Sequence, residues 1–147
     1  MEYPLFIALH GHGVCNIKEF SNYWKPHVFT QAGFIFVYLQ SSQLLCHEGY
    51  GWMDDYETAN RDIAQCAQFI KTEYPINDSE VLIGGFSGGA IAAINFVMSD
   101  IIPVKGFIAL CPEVKPSAFT EENVRLAAKR GVRGVVMEGE LMLPVVS

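Results

Sequence analysis

Apolar residues are concentrated in five short runs, and the segments between them have the spacing of amphipathic helices. Continuous apolar runs of five to seven residues are typical of strands that are buried on both faces of a parallel sheet. The five segments are Tyr3–Leu9, Gly33–Leu39, Val81–Gly85, Val104–Leu110 and Val132–Met137, and the last two each contain one basic residue, Lys105 and Arg133.

Four helices are expected between these strands. A helix near Lys18–Val28 is limited by Pro26, and the segment Gln40–Met53 is expected to be a loop. The other helices run from a cap at Asp54 or Asp55 to about Glu73, from about Gly89 to Met98, and from about Thr120 to Arg130 with Val124, Leu126, Ala127 and Ala128 inside.

This alternation of strands and helices indicates an α/β fold with a mostly parallel sheet of about five strands. Right-handed crossovers place helices on both faces of such a sheet. The helix from Gly89 to Met98 is apolar almost all round, which predicts that it is buried. No repeat, linker or low-complexity tract interrupts the pattern, so residues 1–147 are interpreted as one domain.

Composition excludes several classes of function. Half of the residues are hydrophobic, which excludes disorder, and a net charge of −6 argues against nucleic acid as a partner. No apolar run approaches the roughly 18 residues of a membrane span, and the first residues lack the basic start of a signal peptide. The four cysteines have no metal-ligand spacing, which favours reduced thiols in a cytoplasmic protein.

Candidate chemistry lies in the loops after the strands, because ligands of parallel sheets bind at the carboxyl ends of the strands. After the third strand, Gly85-Phe86-Ser87-Gly88-Gly89 fits the pattern G-x-S-x-G and leads into a helix. Glycine neighbours allow a turn sharp enough to expose the serine hydroxyl beside the helix amides. We therefore interpret Ser87 as a nucleophile.

This turn, the loop His10-Gly11-His12-Gly13 and the segment Trp52-Met53-Asp54 together resemble the α/β-hydrolase superfamily. The resemblance is closest to its phospholipase/carboxylesterase and dienelactone-hydrolase-like branch, and it extends over the whole chain. It implies a serine esterase with Ser87 as nucleophile, acting on an acyl ester or thioester without a cofactor. The backbone amides of His12 and Gly88 would form the oxyanion hole.

The chain departs from the family pattern in its acid and its base. All four histidines precede Ser87, whereas the family places its histidine near the C-terminus. Met142 stands about where the family has Asp, which leaves Glu140 as the candidate acid and Glu113 as an outside candidate. We therefore expect a C-terminally truncated hydrolase that lacks roughly one strand and one helix of a complete domain.

The histidines of the first loop have both a functional and a structural interpretation. His10 begins the loop beside Ser87, so it is either a catalytic base or, as we favour, a ring that holds the loop by hydrogen bonds to backbone. A metal site formed by His10, His12 and Cys15 is disfavoured, since no carboxylate follows and the spacing is poor.

The aromatic residues before the second predicted helix have two interpretations of equal weight. Trp52 and Tyr50, with Met53, either line an acyl pocket or staple the start of the helix. Trp52 and Tyr50 are therefore candidate substrate-binding residues.

The leading hypothesis is an esterase-type hydrolase acting on a small-molecule ester, and acyl transfer would use the same residues. The alternative is a non-catalytic α/β-hydrolase-like binding or interaction domain without a complete triad. Loss of the last strand and helix would leave an apolar sheet edge, through which a homo-oligomer is expected to form.

Overall fold

The computed structural model describes residues 1–13, 24–45, 47, 49–52 and 55–138, and within them strands and helices alternate, apart from a short hairpin between the second strand and the second helix. The strands are β1 (Tyr3–Leu9), β2 (Ile35–Leu39), β3 (Gln43–Leu44), β4 (Tyr50–Gly51), β5 (Ile76–Phe86), β6 (Gly106–Leu110) and β7 (Arg133–Met137). The helices are α1 (Pro26–Gln31), α2 (Tyr56–Glu73), α3 (Gly88–Ser99) and α4 (Glu121–Lys129).

Five of the strands form one parallel sheet in the order β2-β1-β5-β6-β7. β1 and β5 lie side by side at its centre, with Leu9 opposite Gly85 at their carboxyl ends. The loops that follow these two strands therefore leave the sheet next to each other. These are the loops that carry His12 and Ser87.

Alternate residues of β1 enter two different cores. Leu5, Ile7 and Leu9 pack with α2, α3 and α4 on one face of the sheet. Phe6 and Ala8 pack on the other face with aromatic residues that include Trp24 and Phe29 of the α1 region. Helices thus lie on both faces, and the predicted α/β architecture is confirmed.

Helix α3 is enclosed over almost its whole length. Every residue from Gly88 to Met98 is buried, as its all-round apolar sequence predicts. The helix has only 12 residues, and none of the helices in the described parts of the chain is long and apolar enough to cross a bilayer.

The bounds of several elements differ from the sequence prediction. The segment predicted as the loop Gln40–Met53 contains the antiparallel hairpin β3–β4. β5 begins at Ile76 instead of Val81, because its polar first half continues the strand beyond the apolar run. The predicted helix from Lys18 falls partly on residues outside the described ranges, and α1 begins at Pro26, a residue suited to the first turn of a helix.

Helix α4 is less buried than predicted. Of the four residues expected inside, only Ala127 is buried, while Val124 and Leu126 are each 38% exposed and Ala128 is also exposed. The prediction was wrong because it assumed that other elements cover α4 on several sides. In the structure, α4 contacts the core on the side that carries Ala127.

The buried aromatic cluster around Phe6 predicts the effect of a matched pair of substitutions. Phe6 is fully buried and its ring centroid lies 4.3 Å from that of Phe29. Phe6→Ala should lower the free energy of unfolding by about 3–5 kcal/mol through lost burial and a cavity. Phe69→Ala, at a position 61% exposed, should change it by less than about 0.5 kcal/mol. Urea unfolding measures both, and equal effects would contradict the assignment of the core.

The outer edge of β7 predicts self-association of this chain when it is produced alone. Val135 and Met137 are more than half exposed, and β7 pairs only with β6 among the described strands. We expect sedimentation velocity to show concentration-dependent association with a second copy. Val135→Lys should weaken it, since a charge on an edge strand opposes pairing, whereas Val114→Lys at an exposed loop position should not. A monomer at all concentrations would contradict this expectation.

Candidate active site

Ser87 occupies a strained turn between β5 and α3. Its φ of 53° and ψ of −116° are rare for a residue other than glycine. The turn is held from both sides, because the Ser87 N–H donates to the Leu110 carbonyl at 2.8 Å and the Ser87 carbonyl accepts from Ala90 N–H at 3.0 Å. β6 and α3 together therefore impose the conformation that places Ser87 at the end of the sheet.

Two glycines let the backbones around Ser87 touch. A Cβ added at Gly85 would lie 2.1 Å from the Gly89 carbonyl oxygen, and one added at Gly89 would lie 2.3 Å from the His10 carbonyl oxygen. Neither position has room for a side chain. The strand before Ser87, the helix after it and the loop after β1 therefore meet as bare backbone.

The N-terminus of α3 lies immediately after Ser87. Gly88 is the first residue of the helix, so its N–H has no acceptor one turn earlier within the helix. The positive end of the helix dipole lies at the same place as this N–H. The arrangement is able to stabilise a negative charge that develops beside Ser87.

His10 is fully buried and hydrogen-bonded through both ring nitrogens. Its Nε2 accepts the backbone N–H of Ser41 at 2.9 Å, and the Gln40 side-chain nitrogen lies 3.2 Å from the same atom. Because a backbone N–H can only donate, the proton is assigned to Nδ1, which donates to the Gly11 carbonyl at 2.7 Å. Burial lowers the pKa of His10, and the Gly11 hydrogen bond acts in the opposite direction. The geometry favours the loop-holding role over that of a base.

His12 is the third residue of the loop that begins at His10. Its side chain is exposed, and its backbone N–H donates no hydrogen bond within the described part of the chain. A Cβ added at the preceding Gly11 would lie 3.5 Å from the carbonyl oxygen of Phe86, the residue before Ser87. The loop that carries the His12 amide is thus in contact with the strand that carries Ser87.

Trp52 was one of two candidate substrate-binding residues, and its position does not suit that role. The side chain is completely buried, and its indole N–H donates to the His10 carbonyl at 2.9 Å. A substrate cannot reach a side chain with no exposed surface. Tyr50 is half-buried, and its backbone carbonyl accepts the Gly13 N–H at 2.9 Å. Sequence reasoning missed this link between the hairpin and the loop.

The remaining candidates are exposed or lie outside the described residues. His27 on α1 and His47 in the hairpin are exposed, and so is Glu113 after β6. Glu140, the candidate acid, lies outside the described residues, as do Met53, Met142 and Cys15. No group of three potential metal ligands is found among the residues described.

The described chain also has a cavity of about 620 Å³, but it lies far from Ser87 in the fold. It opens near the amino ends of the strands, on the face opposite α3, whereas Ser87 follows the carboxyl end of β5. Its lining includes Pro4, Phe34, Leu82, Lys105, Ile108 and Arg133. This groove is therefore not the candidate active site.

Comparison with known proteins gives similarity in structure rather than in sequence. No protein-family model matches the chain, and no curated protein matches its sequence. An uncharacterized protein from Bacillus cereus is similar with a TM-score of 0.79 and 27% identity, over 95% of this chain and 44% of its own. This chain thus spans less than half of that protein.

Two named enzymes have a similar backbone. A phospholipase/carboxylesterase from Dyadobacter fermentans gives a TM-score of 0.60 at 14% identity, over 95% of this chain and 82% of its own. A carboxylesterase from Bacillus cereus gives 0.64 at 13% identity, over 99% and 86% respectively. At such identities the similarity concerns the fold alone.

The buried neutral His10 predicts a pH dependence of stability. Burial lowers the pKa of His10 from its ordinary value of 6.5, so below that value the unfolded chain binds more protons than the folded one. The stabilisation is complete above pH 6.5 and is lost as the pH falls through the lowered pKa of the folded state. Urea unfolding between about pH 8 and pH 5 should show this loss.

A matched pair of variants tests whether His10 causes this pH dependence of stability. His10→Gln should reduce the slope between neutral and mildly acidic pH, whereas His27→Gln, at an exposed position, should retain it. An unchanged slope in His10→Gln would show that another group is responsible.

Proposed function

The chain has the fold of the α/β-hydrolase superfamily, and on this fold we propose that it provides the nucleophile and oxyanion hole of an esterase-type serine hydrolase. The observation that carries the proposal is the setting of Ser87, a strained serine between a buried helix N-terminus and a second backbone loop. The substrate class is a small-molecule acyl ester or thioester.

In the proposed reaction, Ser87 Oγ forms a bond to the acyl carbonyl carbon while its proton passes to a general base. The carbonyl oxygen becomes an oxyanion, which accepts hydrogen bonds from the backbone amides of Gly88 and His12. Collapse of this intermediate expels the alcohol or thiol, which takes the proton from the base. Water then releases the acid from Ser87 by the same steps.

A histidine other than His10 is proposed as the general base. His10 is unsuited to the task, because its Nε2 already accepts the Ser41 N–H and its Nδ1 proton is committed to Gly11. Glu140 is proposed as the acid that orients this histidine. Tyr50 is retained as a candidate wall of the substrate pocket, whereas Trp52 is not, since it is fully buried.

A non-catalytic binding domain is the second candidate. It is favoured by Met142 at the family's acid position and by the lack of any histidine after Ser87 in this sequence. In that case the loops around Ser87 would still bind a small molecule, but the serine hydroxyl would not be activated. Acyl transfer to an acceptor other than water would require the same residues as hydrolysis.

The proposal predicts covalent labelling at one residue. The native polypeptide that carries this sequence should react with a fluorophosphonate, and peptide mass spectrometry should place the adduct on Ser87. Ser87→Ala should abolish the adduct. Ser79→Ala, which removes an exposed serine hydroxyl from β5, should leave the rate unchanged.

The intact mass of that native polypeptide separates the two candidates further. A mass larger than that of 147 residues, with a downstream histidine whose replacement stops labelling, would support the hydrolase. A polypeptide that binds small esters without acquiring an adduct would support the binding domain instead.

A further inference from the structure

The loop His10–Gly13, called here the oxyanion loop, is fastened to the β3–β4 hairpin at both of its ends. At its start, the Ser41 N–H donates to His10 Nε2 and the Trp52 indole N–H donates to the His10 carbonyl, each at 2.9 Å. At its end, the Gly13 N–H donates to the Tyr50 carbonyl at 2.9 Å. The Ser41 hydroxyl in turn donates to the Gly51 carbonyl, which closes the hairpin on itself.

A further hydrogen bond, within the loop itself, fixes the direction of the His12 amide. The peptide unit between Gly11 and His12 carries the Gly11 carbonyl on one side and the His12 N–H on the other. This peptide is trans, so the two groups point in opposite directions. Because the His10 Nδ1–H holds the Gly11 carbonyl at 2.7 Å, the His12 N–H is turned away from the imidazole.

The Trp52 indole fixes the preceding peptide unit. It holds the His10 carbonyl, whose oxygen lies where a side chain at Gly89 would otherwise be. This carbonyl is thus trapped between the indole and the first turn of α3. The ring of Trp52 also lies against His10, with ring centroids 5.0 Å apart.

We propose that Trp52 and His10 are positioning residues that set the direction of the His12 amide, with the Ser41 N–H holding the imidazole. Two successive peptide units of the oxyanion loop are then fixed by side chains from buried positions, without contact with substrate. This inference rests on the proposed function, because the direction of the His12 amide affects catalysis only if that amide belongs to the oxyanion hole.

The two tryptophans of the chain provide a matched test. Trp52→Phe removes an indole N–H that has an acceptor, whereas Trp24→Phe removes one that has no hydrogen-bond partner among the described residues. Both side chains are buried, so both variants lose packing. Hydrolysis of p-nitrophenyl acetate is measured for the native polypeptide and both variants, at a temperature well below the unfolding temperatures of all three proteins.

We expect Trp52→Phe to lower kcat about tenfold with KM unchanged, because oxyanion hydrogen bonds act mainly in the transition state and losing one entirely costs about 10²–10³-fold. Trp24→Phe should keep kcat within about twofold. Equal effects of the two variants would overturn the inference and leave Trp52 as an ordinary core residue. A raised KM with unchanged kcat would also overturn it, in favour of substrate contact.

Failure of the proposed function is distinguishable from failure of this inference. A wild-type polypeptide that neither hydrolyses the ester nor labels at Ser87 would remove the function and the inference together. An active wild type with an unaffected Trp52→Phe variant would remove the inference alone. Nitrogen chemical shifts of His10 give a separate check, since a ring protonated at Nε2 instead of Nδ1 would contradict the orientation of the Gly11–His12 peptide.

Discussion

The close approach of three backbones around Ser87 is the constraint on which the rest of the site depends. β5, α3 and the loop after β1 come together where Gly85 and Gly89 leave no space for a side chain. This contact fixes the strained turn and brings the Gly88 N–H, at the N-terminus of α3, next to Ser87. It requires a buried α3, and the all-round apolar sequence of that helix satisfies the requirement. The fold and the site are therefore two results of the same packing.

The neutral state of His10 is a second condition for this arrangement. A protonated ring would carry hydrogens on both nitrogens, and its Nε2–H would face the Ser41 N–H. Burial among apolar groups disfavours that charged form, and the Ser41 contact requires an unprotonated Nε2. The imidazole thus acts as a fixed acceptor and donor pair, which is a different use of histidine from the proton transfer expected of a catalytic base.

The sequence was sufficient to predict the elements that local patterns of residues determine. Buried strands such as β1 and β6 appear as apolar runs, and the Asp55 cap of α2 was anticipated and accepts the Thr58 N–H. The hairpin escaped prediction because strands of two residues have no period. The contact between Trp52 and His10 joins residues 42 positions apart, and only the tertiary fold determines such a contact. The same limit applies to α4, whose exposure depends on what covers it.

The hydrogen bonds between the oxyanion loop and the hairpin determine which substitutions, insertions and deletions the hairpin tolerates. Two of its hydrogen bonds use only backbone donors, the N–H groups of Ser41 and Gly13, which no substitution other than proline removes. Sequence drift between Ser41 and Tyr50 should therefore be tolerated at most positions. Inserting or deleting a single residue there is different, because it shifts strand register and turns alternate groups to the opposite face. Among homologues, this hairpin should vary in composition while keeping its length.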